Sequence, residues 1–458
     1  MLNVKGKKIL VAGLGKSGLA ALDALLELGA DVAVHDAKSL DNFEPELLRM
    51  LEENKIVCYL GREPKPESRF DMLVLSPGIP PETGFVKNAE ENGSEIIGEL
   101  ELSFRIGKGN YVAVTGTNGK TTTTALIGEM FKAADRDVYV VGNIGTAVAT
   151  VALKAGDGSW LVTETSSFQL ETAGSFRPRV SVLLNITPDH LDRHKNMENY
   201  IEAKAKIFKN QDESDCLVVN YDDKTAYALS AGCRAKTVPF SRIAELPFGA
   251  FVAGGSIVLR DDGGKCENIC GAEELLIPGR HNLENALAAA AAAYFAGIPT
   301  YVIAETLRTF SGVEHRLEFC GEIGGVRFVN DSKGTNPDAA AKAVEAVAGD
   351  VVLIAGGYDK KADFGGFIKS FGGKVKHMLL LGETADKIRG AAENAGFYDS
   401  TVLGGMEECV ERAFGLAAPG DTVLLSPACA SWDMYSCFEE RGSHFKGCVA
   451  RLGAKWQE

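Results

Sequence analysis

The sequence has no apolar run long enough to cross a lipid bilayer, which takes about 20 consecutive apolar residues in a helix. Its most apolar stretch, Ala286 to Ala296, is rich in alanine and covers about three helical turns, which predicts a packed helix. The segment Met1 to Gly13 also lacks the cationic, apolar and small-residue succession of an export signal. We therefore expect a cytoplasmic protein without membrane contact.

Paired cysteines and an excess of cations are missing as well. The ten cysteines form no Cys-x-x-Cys pair, and the closest two, Cys266 and Cys270, have no second pair at metal-ligand spacing. We interpret all of them as reduced thiols. Lys and Arg total 48 against 62 Asp and Glu, for a formal net charge of -14. This balance argues against a nucleic-acid-binding surface, so any bound phosphate must be met by local loops.

The length of 458 residues exceeds a single core and suggests roughly three domains of about 150 residues each. Three times, an apolar strand leads through a glycine-rich turn into an alanine-rich helical pattern, starting near Ile9, Val112 and Val351. This order is typical of parallel α/β sheets. The predicted domains are the ranges 1–98, 99–312 and 313–458.

Two segments mark the predicted boundaries. A polar helix from Glu99 to Phe104 precedes the apolar strand Tyr111 to Val114, which opens the second domain. An amphipathic helix, Thr300 to Phe310, is followed by Ser311 to Glu314, which we interpret as a linker to the third domain.

The most specific motif begins at the strand Val112 to Thr115. It continues as Gly116-Thr117-Asn118-Gly119-Lys120-Thr121-Thr122, a glycine-rich turn that enters a helix. Glycines let backbone N–H groups face a phosphate, Lys120 adds a cation, and the helix N-terminus adds partial positive charge. Thr121 carries a hydroxyl placed for Mg²⁺. Two residues instead of four separate the glycines, which indicates a subfamily of nucleotide-binding loops rather than a plain threonine-rich turn.

The first domain carries a glycine fingerprint with two interpretations. Gly13, Gly15 and Gly18 follow a strand, and Asp36 ends the next strand, which satisfies the dinucleotide-binding pattern. Taken by itself, the pattern predicts NAD. The same backbone amides and helix N-terminus serve the pyrophosphate of a UDP-sugar equally well.

Four further motifs, set beside the phosphate loop, make the chain resemble the Mur ligase family over essentially its whole length. The motifs are Glu164-Thr165-Ser166-Ser167-Phe168-Gln169-Leu170, Asn185-Ile186-Thr187-Pro188-Asp189-His190-Leu191-Asp192, Gly279-Arg280-His281-Asn282-Leu283-Glu284-Asn285 and His315-Arg316. The resemblance implies an α/β protein of three domains. The N-terminal domain would be Rossmann-like and bind a UDP-substrate, the central one a P-loop-type ATPase with a mostly parallel sheet, and the C-terminal one Rossmann-like and specific for an amino acid.

Two C-terminal motifs resemble the branch of the family that adds D-glutamate to UDP-N-acetylmuramoyl-L-alanine. They are Asn330-Asp331-Ser332-Lys333-Gly334-Thr335-Asn336 and Leu425-Ser426-Pro427-Ala428-Cys429-Ala430-Ser431-Trp432-Asp433. The Asp-Asn-Pro-Arg motif expected of the branch that adds meso-diaminopimelate is absent from the sequence. The implied reaction converts the alanine carboxylate to an acyl phosphate with ATP, and the D-glutamate amine then attacks. We expect a monomer that acts in cytoplasmic peptidoglycan precursor synthesis.

The resemblance also implies an ATP site with two Mg²⁺ ions. Glu164 and Thr121 resemble ligands of one ion and His190 of the second, while Lys204 matches a lysine that the family carbamylates with CO₂. Taken alone, Glu164 fits a helix cap or surface carboxylate, His190 a buried structural histidine and Lys204 a solvated lysine. The implied ATP contacts are Gly116, Thr117, Asn118, Gly119, Lys120, Thr121, Thr122, Asn282, Arg316 and Asp331. The implied catalytic residues are Lys120, Glu164, His190, Lys204 and Lys333.

The substrate contacts are implied in the same way. Asn282 could instead cap the alanine-rich helix, and Asp331 could form a turn with Ser332. Lys360 is expected to pair with the side-chain carboxylate of D-glutamate. The implied UDP-substrate contacts are Lys16, Ser17 and Gly18 at the diphosphate, Asp36, Ala37 and Lys38 near the uracil, and Ser76, Pro77, Gly78 and Asn143. The implied D-glutamate contacts are Thr335, Lys360, Ser431 and Phe438.

Three other functions stay open at this point. A folylpolyglutamate synthase, or a Mur ligase specific for another amino acid, would differ only in the C-terminal motifs. An NAD-dependent oxidoreductase would satisfy the first glycine fingerprint but leave Gly116 to Thr122 unexplained. A non-catalytic nucleotide-binding regulator would not need Glu164, His190 and Lys204 together.

Overall fold

Three mostly parallel β-sheets flanked by helices form the protein, for which a computed structural model describes residues 2–143 and 145–457. The expected α/β fold class is confirmed. The chain divides into two compact units. The first unit is Met1–Gly271 with Asn285–Thr306, and the second is Ala272–Glu284 with Leu307–Glu458. None of the helices in the described ranges has the length and apolarity needed to span a membrane.

The first sheet is parallel throughout, with strand order β3-β2-β1-β4-β5. Its strands are β1 Lys8–Ala12, β2 Asp31–Asp36, β3 Val57–Leu60, β4 Met72–Leu75 and β5 Glu95–Gly98. The helices of this part are α1 Lys16–Glu27, α2 Pro45–Glu53, α3 Gly84–Glu91 and α4 Glu99–Ile106. Helix α1 begins directly after the glycine-rich loop, because Gly15 adopts the extended cap conformation and Lys16 already belongs to the first turn.

The second sheet has nine strands in the order β14-β13-β12-β11-β10-β9-β6-β8-β7, and the pairs β12–β13 and β13–β14 are antiparallel. Its strands are β6 Asn110–Thr115, β7 Val138–Gly142, β8 Trp160–Glu164, β9 Val180–Leu183, β10 Cys216–Asn220, β11 Lys236–Ser241, β12 Gly249–Ala253, β13 Ser256–Arg260 and β14 Cys266–Gly271. Its helices are α5 Lys120–Ala133, α6 Ala149–Ala152, α7 Ser167–Glu171, α8 Leu191–His194, α9 Met197–Ala205, α10 Lys224–Leu229, α11 Arg280–Phe295 and α12 Thr300–Thr309. Strand β6 lies between β8 and β9, so the carboxyl ends of these three parallel strands meet at one edge.

The third sheet has the order β15-β16-β20-β17-β18-β19, and only its β15–β16 pair is antiparallel among the described strands. Its strands are β15 Glu318–Ile323, β16 Val326–Asn330, β17 Val351–Gly356, β18 Val375–Leu381, β19 Ser400–Val402 and β20 Thr422–Leu425. The helices are α13 Pro337–Ala346, α14 Gly365–Lys369, α15 Ala385–Asn394, α16 Met406–Leu416 and α17 Phe438–Gln457.

The central strands are buried on both faces, which explains their unbroken apolar runs. In β1, Ile9 and Val11 pack into one core while Leu10 and Ala12 pack into the core on the opposite face. Strand β17 divides its residues between two cores in the same way. Apolar residues at every position therefore indicate a sheet covered by helices on two sides.

Helix α4 differs from the expectation of a polar helix, because its acidic residues are buried. Glu99 and Glu101 are 2% and 0% exposed. Glu101 accepts backbone hydrogen bonds from Gly174, Ser175 and Phe176. The polar composition of α4 therefore reflects buried hydrogen bonds rather than contact with water.

Candidate functional site

The predicted phosphate loop is a buried turn between β6 and α5. The backbone N–H of Asn118 donates to Asn185 Oδ1 at 2.8 Å, and its carbonyl accepts from Asn185 Nδ2 at 3.0 Å. Gly119 has a φ of 88°, and a Cβ there would lie 2.2 Å from Asn285 Oδ1. A glycine is required at that point because the chain adopts a left-handed conformation against α11. Helix α5 then starts at Lys120.

Two lysines converge on the carbonyl of Gly116. Lys120 Nζ donates to Gly116 O at 3.0 Å and to Thr117 O at 2.8 Å, and Lys204 Nζ donates to the same Gly116 O at 2.7 Å. Lys204 is 2% exposed and lies 4.7 Å from the ring centroid of Tyr200. Burial and, second, the charge of Lys120 lower the pKa of Lys204 well below its usual value. The interpretation of Lys204 as a solvated lysine is therefore wrong.

Acidic groups lie close to these lysines. Glu164, the last residue of β8, is 1% exposed, and Asn143 Nδ2 donates to its Oε1 at 2.9 Å. Glu164 and Asp189 each act to raise the pKa of Lys204, although burial outweighs them. Glu164 is neither a surface carboxylate nor a helix cap, because Ser166 caps α7. The amide of Asn143, expected to contact the UDP-substrate, lies on Glu164 in this structure.

His190 lies at the edge of this group. It precedes α8 with a φ of 54°, and its ring lies 4.8 Å from that of Phe168, measured between centroids. Its Nε2 is 3.6 Å from Asp189 Oδ2, and its side chain is 33% exposed. His190 is therefore accessible and is not a buried structural histidine. The buried histidine of this segment is His194, which contacts Ser167 Oγ at 2.9 Å.

Threonine side chains lie in the phosphate loop and in the first turn of α5. Thr121 is 2% exposed in the first turn of α5. Thr117 Oγ1 donates to Thr187 O at 3.0 Å and lies 3.1 Å from Tyr200 Oη. The Oγ1 of Thr122 is buried and has no hydrogen-bond partner within the described ranges. An unused buried hydroxyl at a helix N-terminus fits a loop shaped for an anion.

Three of the predicted UDP-substrate residues, Asp36, Ala37 and Gly78, line a cleft at the carboxyl ends of β1, β2 and β4. Asp36 Oδ2 accepts from the N–H of Leu14 at 2.7 Å, and its Oδ1 accepts from the N–H of Lys38 at 2.9 Å. Ser76 Oγ donates to Gly13 O at 2.9 Å. The cleft encloses about 430 Å³, within the usual range for small-molecule sites. Its lining includes Gly13, His35, Asp36, Ala37, Gly78 and Ile79.

The glycines of the first glycine-rich loop have different surroundings. A Cβ on Gly18 would lie 1.7 Å from Gly13 O, whereas a Cβ on Gly15 would meet no atom within 4 Å. Gly18 therefore lets α1 pack close to the loop after β1, whereas the backbone at Gly15 faces open space. Lys16 and Ser17 lie between Gly15 and Gly18, in the first turn of α1. Ser76 to Ile79 is a turn closed by a 3.0 Å hydrogen bond from Ile79 N to Ser76 O.

Three predicted ATP contacts belong to the second unit. Asp331 is buried, and Ser426 Oγ donates to its Oδ2 at 2.7 Å. Burial raises the pKa of Asp331 to about 6, while the Arg316 guanidinium acts to lower it. Asn282 is the third residue of α11, and its Nδ2 donates to Pro278 O at 2.7 Å. Asn282 is therefore inside the helix, and the interpretation of it as the helix cap is wrong.

The predicted D-glutamate residues follow neighbouring strands of the third sheet. Thr335 follows β16, Lys360 follows β17 and Ser431 follows β20, and β20 lies between the other two strands. The carboxyl ends of parallel neighbours meet at one edge, which brings these segments together. Lys333 Nζ lies 4.9 Å from the ring centroid of Phe438, the first residue of α17.

Arg441 braces this edge and was not predicted. Its Nε donates to Ser332 Oγ at 3.0 Å and its Nη2 to Ser332 O at 2.8 Å, while Nη1 donates to Ala430 O at 3.1 Å. The guanidinium thereby joins the segments after β16 and β20. Burial lowers the pKa of Arg441 to about 10. Its position in a charged helical sequence, Glu439-Glu440-Arg441, carries no sign of burial, so composition alone could not reveal it.

Sequence reasoning also missed three residues that lie beside the phosphate loop or Lys204, namely Asn185, Tyr200 and Asp189. Asn185 and Asp189 occur in a motif already singled out, and Tyr200 precedes the predicted Lys204 by one helical turn, so Tyr200 and Lys204 share a face of α9. The signal was available as helical spacing and motif membership. What the sequence could not supply was the direction of each side chain.

Family descriptions match most of the chain. "Mur ligase MurD-like, N-terminal domain" matches residues 7–98, "Mur ligase middle domain" residues 114–293, and "Mur ligase, glutamate ligase domain" residues 315–429.

Full-length relatives carry one shared name, UDP-N-acetylmuramoylalanine--D-glutamate ligase. The relative from Thermoanaerobacter pseudethanolicus is 50% identical, and the alignment covers 98% of this chain and 100% of that one. The relative from Alkaliphilus oremlandii is also 50% identical with the same coverage. The relative from Clostridioides difficile is 46% identical, again over 98% and 100% of the two chains.

Solved structures share the fold at lower identity. UDP-N-acetylmuramate-alanine ligase MurC from Thermotoga maritima aligns with a TM-score of 0.61 and 20% identity, covering 98% of this chain and 100% of that one. MurF ligase from Thermotoga maritima, in complex with ADP, aligns with a TM-score of 0.58 and 17% identity over 98% and 96%. These likenesses establish a shared three-sheet architecture.

Proposed function

The chain belongs to the Mur ligase family, and from that membership we propose that it joins D-glutamate to UDP-N-acetylmuramoyl-L-alanine with conversion of ATP to ADP and phosphate. The γ-phosphoryl group passes to the alanine carboxylate, forming an acyl phosphate. The amine of D-glutamate then attacks the carbonyl carbon, a C–N bond forms, the C–O bond to phosphate breaks, and the amine loses a proton. The shared name of relatives 46% to 50% identical over nearly the full chain supports this specificity.

The observation that carries the proposal is the convergence of Lys120 and Lys204 at Gly116 O, beside a phosphate loop that opens α5. Backbone N–H groups of the loop and the helix N-terminus meet phosphate oxygens. Lys120 can leave the loop carbonyls that it contacts and neutralise charge on the transferring phosphoryl group. Phosphoryl transfer needs such positioning and charge more than it needs covalent participation by the protein.

The donor set of the first unit fits magnesium. Thr121 and Glu164 supply hard oxygen atoms, which Mg²⁺ prefers, and His190 is accessible beside Asp189. The ions would supply positive charge to the phosphate oxygens. Asn143 holds the Glu164 carboxylate in place through its 2.9 Å hydrogen bond, so we assign Asn143 a role in orienting this ligand as well as in contacting the substrate.

We further propose that Lys204 is carbamylated. The lowered pKa of Lys204 favours its uncharged amine, which is the form that attacks CO₂. The amine nitrogen bonds to the carbon of CO₂ and releases one proton, which replaces a buried neutral amine by a carboxylate-like anion. Such a group would act with Glu164 and His190 toward the two Mg²⁺ sites.

We assign the UDP-substrate and D-glutamate to different loops. Lys16, Ser17 and Gly18 would meet the diphosphate, and Asp36, Ala37 and Lys38 the uracil end of the 430 Å³ cleft. Lys360 would pair with the D-glutamate side chain, supported by Thr335, Ser431 and Phe438, and Lys333 would act at the reaction centre. Asn282, Arg316 and Asp331 are proposed as further contacts of the nucleotide. We propose that the three ranges 1–98, 99–312 and 313–458 act as substrate, nucleotide and amino-acid domains of a cytoplasmic monomer.

The proposed reaction is tested by measuring phosphate release from ATP with UDP-N-acetylmuramoyl-L-alanine present. Separate reactions receive D-glutamate, L-glutamate, meso-diaminopimelate or no amino acid. We expect release with D-glutamate alone, together with formation of the amide product by mass spectrometry.

Each other outcome points to a different function. Release with another amino acid would keep the ligase chemistry and overturn the assignment of the D-glutamate residues. Release with a folate acceptor would favour a folylpolyglutamate synthase. Nicotinamide cofactor binding without any ATP turnover would favour an oxidoreductase, and ATP binding without turnover would favour a regulator.

A further inference from the structure

Arg193 connects two parts of the first unit that the proposed reaction must hold together. We propose that Arg193 is a positioning residue, which holds the Ser76–Ile79 turn of the substrate cleft in place relative to the His190 segment. In this way the acyl end of the UDP-substrate is presented to the transferring phosphoryl group. The inference rests on the proposed function and adds a residue to it that the family motifs did not single out.

The guanidinium of Arg193 is fixed by three contacts. Its Nη2 donates to Glu171 Oε2 at 2.6 Å and to Ile79 O at 3.3 Å, and its Cζ lies 5.0 Å from the ring centroid of Phe168. The side chain is 12% exposed. An ion pair, a backbone carbonyl and an aromatic face therefore hold the group in one orientation.

One side of this contact is the substrate cleft. Ile79 closes the turn through its hydrogen bond to Ser76 O, and Ser76 Oγ holds Gly13 O of the first glycine-rich loop. Gly78 and Ile79 both line the 430 Å³ cleft. A change in the position of Ile79 O would therefore be passed to the wall of the cleft.

The other side is the predicted metal segment. Arg193 lies in α8, three residues after His190. The Phe168 ring contacts both the guanidinium of Arg193 and the imidazole of His190, the latter at 4.8 Å between centroids. Arg193 and His190 thus both contact the Phe168 ring, and Arg193 also donates to the carbonyl oxygen of Ile79.

Arg193 also has an unused donor. Its Nε is buried and has no hydrogen-bond partner within residues 2–143 and 145–457. The side chain lines a small cavity together with Ser76, Pro77 and Gln169. Burial of an N–H group without an acceptor opposes folding. The unpaired Nε–H of Arg193 therefore lowers the stability of the folded state. This favours a role for Arg193 in the reaction over a role in packing.

Lysine cannot reproduce this arrangement. The planar guanidinium serves Glu171 and Ile79 from one nitrogen while stacking on Phe168, whereas an ammonium is a compact charge without a flat face. A lysine at position 193 can keep the ion pair with Glu171 but not the full set of contacts. The uridine diphosphate part of the substrate would still bind to the loops of the first sheet. Its acyl end would no longer be held in line with the transferring phosphoryl group.

The test compares Arg193→Lys and Arg193→Ala with the matched control Arg177→Lys. Arg177 belongs to the same unit and donates to Asp215 Oδ2 at 2.6 Å, but it does not line the cleft. Steady-state phosphate release gives kcat and KM for each substrate. Calorimetric titration gives the Kd of UDP-N-acetylmuramoyl-L-alanine, and thermal unfolding reports the fold.

We expect kcat to fall at least about tenfold in Arg193→Lys and about 100-fold in Arg193→Ala, as expected for a misplacement of the reacting groups. The Kd of the UDP-substrate and the KM of ATP should change by less than about threefold, since misalignment affects the reaction more than ground-state binding. Arg177→Lys should keep wild-type kcat.

Three outcomes would overturn the inference. They are a kcat of Arg193→Lys equal to that of Arg177→Lys, a loss of activity matched by loss of folded protein, or a loss confined to substrate Kd. Each of these leaves the proposed function intact as long as the wild type remains active. A wild type that releases no phosphate with D-glutamate would instead overturn the proposed function, and the inference with it.

Discussion

At the scale of single residues, Lys204 acquires its chemistry from its surroundings. A solvated lysine is a cation at neutral pH and repels Mg²⁺, but Lys204 is buried and shares Gly116 O with Lys120. Both circumstances lower the pKa of Lys204. Glu164 and Asp189 act in the opposite direction and do not restore it. The carbamate proposed for Lys204 requires this uncharged amine.

The substitution Lys204→Ala tests this chemistry. We expect kcat to fall about 100-fold or more, as for loss of a charged group at a transition state, and small carboxylates in the buffer to restore part of the activity. The matched control is Lys209→Ala, because Lys209 is an exposed lysine just after the same helix and its removal should leave kcat unchanged.

Mass spectrometry of intact active enzyme in bicarbonate buffer gives an independent measurement for Lys204. An added mass of one CO₂ that disappears in Lys204→Ala is the expected result. An active enzyme whose mass is unmodified under native conditions, with no rescue of the variant by carboxylates, would contradict the carbamate.

At the scale of structural elements, α4 carries two buried carboxyl groups whose pKa values move in opposite directions. Glu99 accepts from Ala149 N and Ser103 Oγ, but burial prevails and raises its pKa to about 7. Burial also acts to raise the pKa of Glu101, but hydrogen bonds from Ser175 and then Arg105 hold it below its usual value. The two groups should therefore affect stability in different pH ranges.

The substitution Glu99→Gln should become relatively more stable than wild type as the pH rises from 5 to 8. A carboxyl whose pKa is raised from 4.5 to about 7 on folding stabilises the fold below pH 4.5 and loses that contribution as the pH passes 7. A tenfold change in the acid dissociation constant on folding corresponds to about 1.4 kcal/mol. A gain of about 1–3 kcal/mol at pH 8 is therefore expected, measured by the urea midpoint.

Glu101→Gln serves as the opposite case on the same helix. A lowered pKa stabilises the fold above the unfolded value and is lost as the pH falls through the folded value. Removal of this charged acceptor should cost about 2–3 kcal/mol at pH 7, with the cost shrinking below pH 4. A Glu99→Gln variant that is less stable than wild type at pH 8 would contradict the assignment of the raised pKa.

Among the loops, Gly15 and Gly18 should separate binding from folding. Gly18→Ala forces a Cβ against Gly13 O and should destabilise the protein by about 1–3 kcal/mol through overpacking. Gly15→Ala meets open space, so its unfolding midpoint should stay near wild type. We expect its KM for the UDP-substrate to rise about tenfold, through loss of about one hydrogen bond to a charged group. A stable Gly18→Ala variant with normal kinetics would contradict this division.

Sequence reasoning succeeded where local pattern decides structure. Glycine placement and apolar runs predicted strands near Ile9 and Val351 and a helix after the phosphate loop, and these elements occur as β1, β17 and α5. It failed where distant residues determine burial. Glu101 has the sequence context of a polar surface residue until the loop at Ser175 supplies its hydrogen bonds, and that pairing spans more than seventy residues of chain.

At the scale of the whole molecule, each sheet presents loops at the carboxyl ends of its strands. The first sheet places Gly13 and Ser76 there, the second Gly116 and Glu164, and the third Thr335. Each of these edges carries most of the contacts proposed for one substrate, although Asn143 and Asp331 are exceptions. Under the proposed assignment, the three ligands bind mainly to loops that belong to different sheets, and the loss of one loop should leave binding at the other two largely unchanged.

Ligand-induced stabilisation tests this independence. A ligand at 100 times its Kd should add about 2.7 kcal/mol to the stability of the folded state, so UDP-N-acetylmuramoyl-L-alanine and a non-hydrolysable Mg·ATP analogue should each raise the thermal midpoint. Lys120→Ala should lose only the rise produced by the nucleotide, while Lys132→Ala, an exposed lysine of the same helix paired with Glu129, should keep both. NADH should leave the midpoint unchanged, because the first glycine-rich loop is assigned to a UDP-substrate. A higher midpoint with NADH would revive the dinucleotide interpretation of Gly13 to Gly18, and an unchanged response to the nucleotide in Lys120→Ala would remove that lysine from the ATP site.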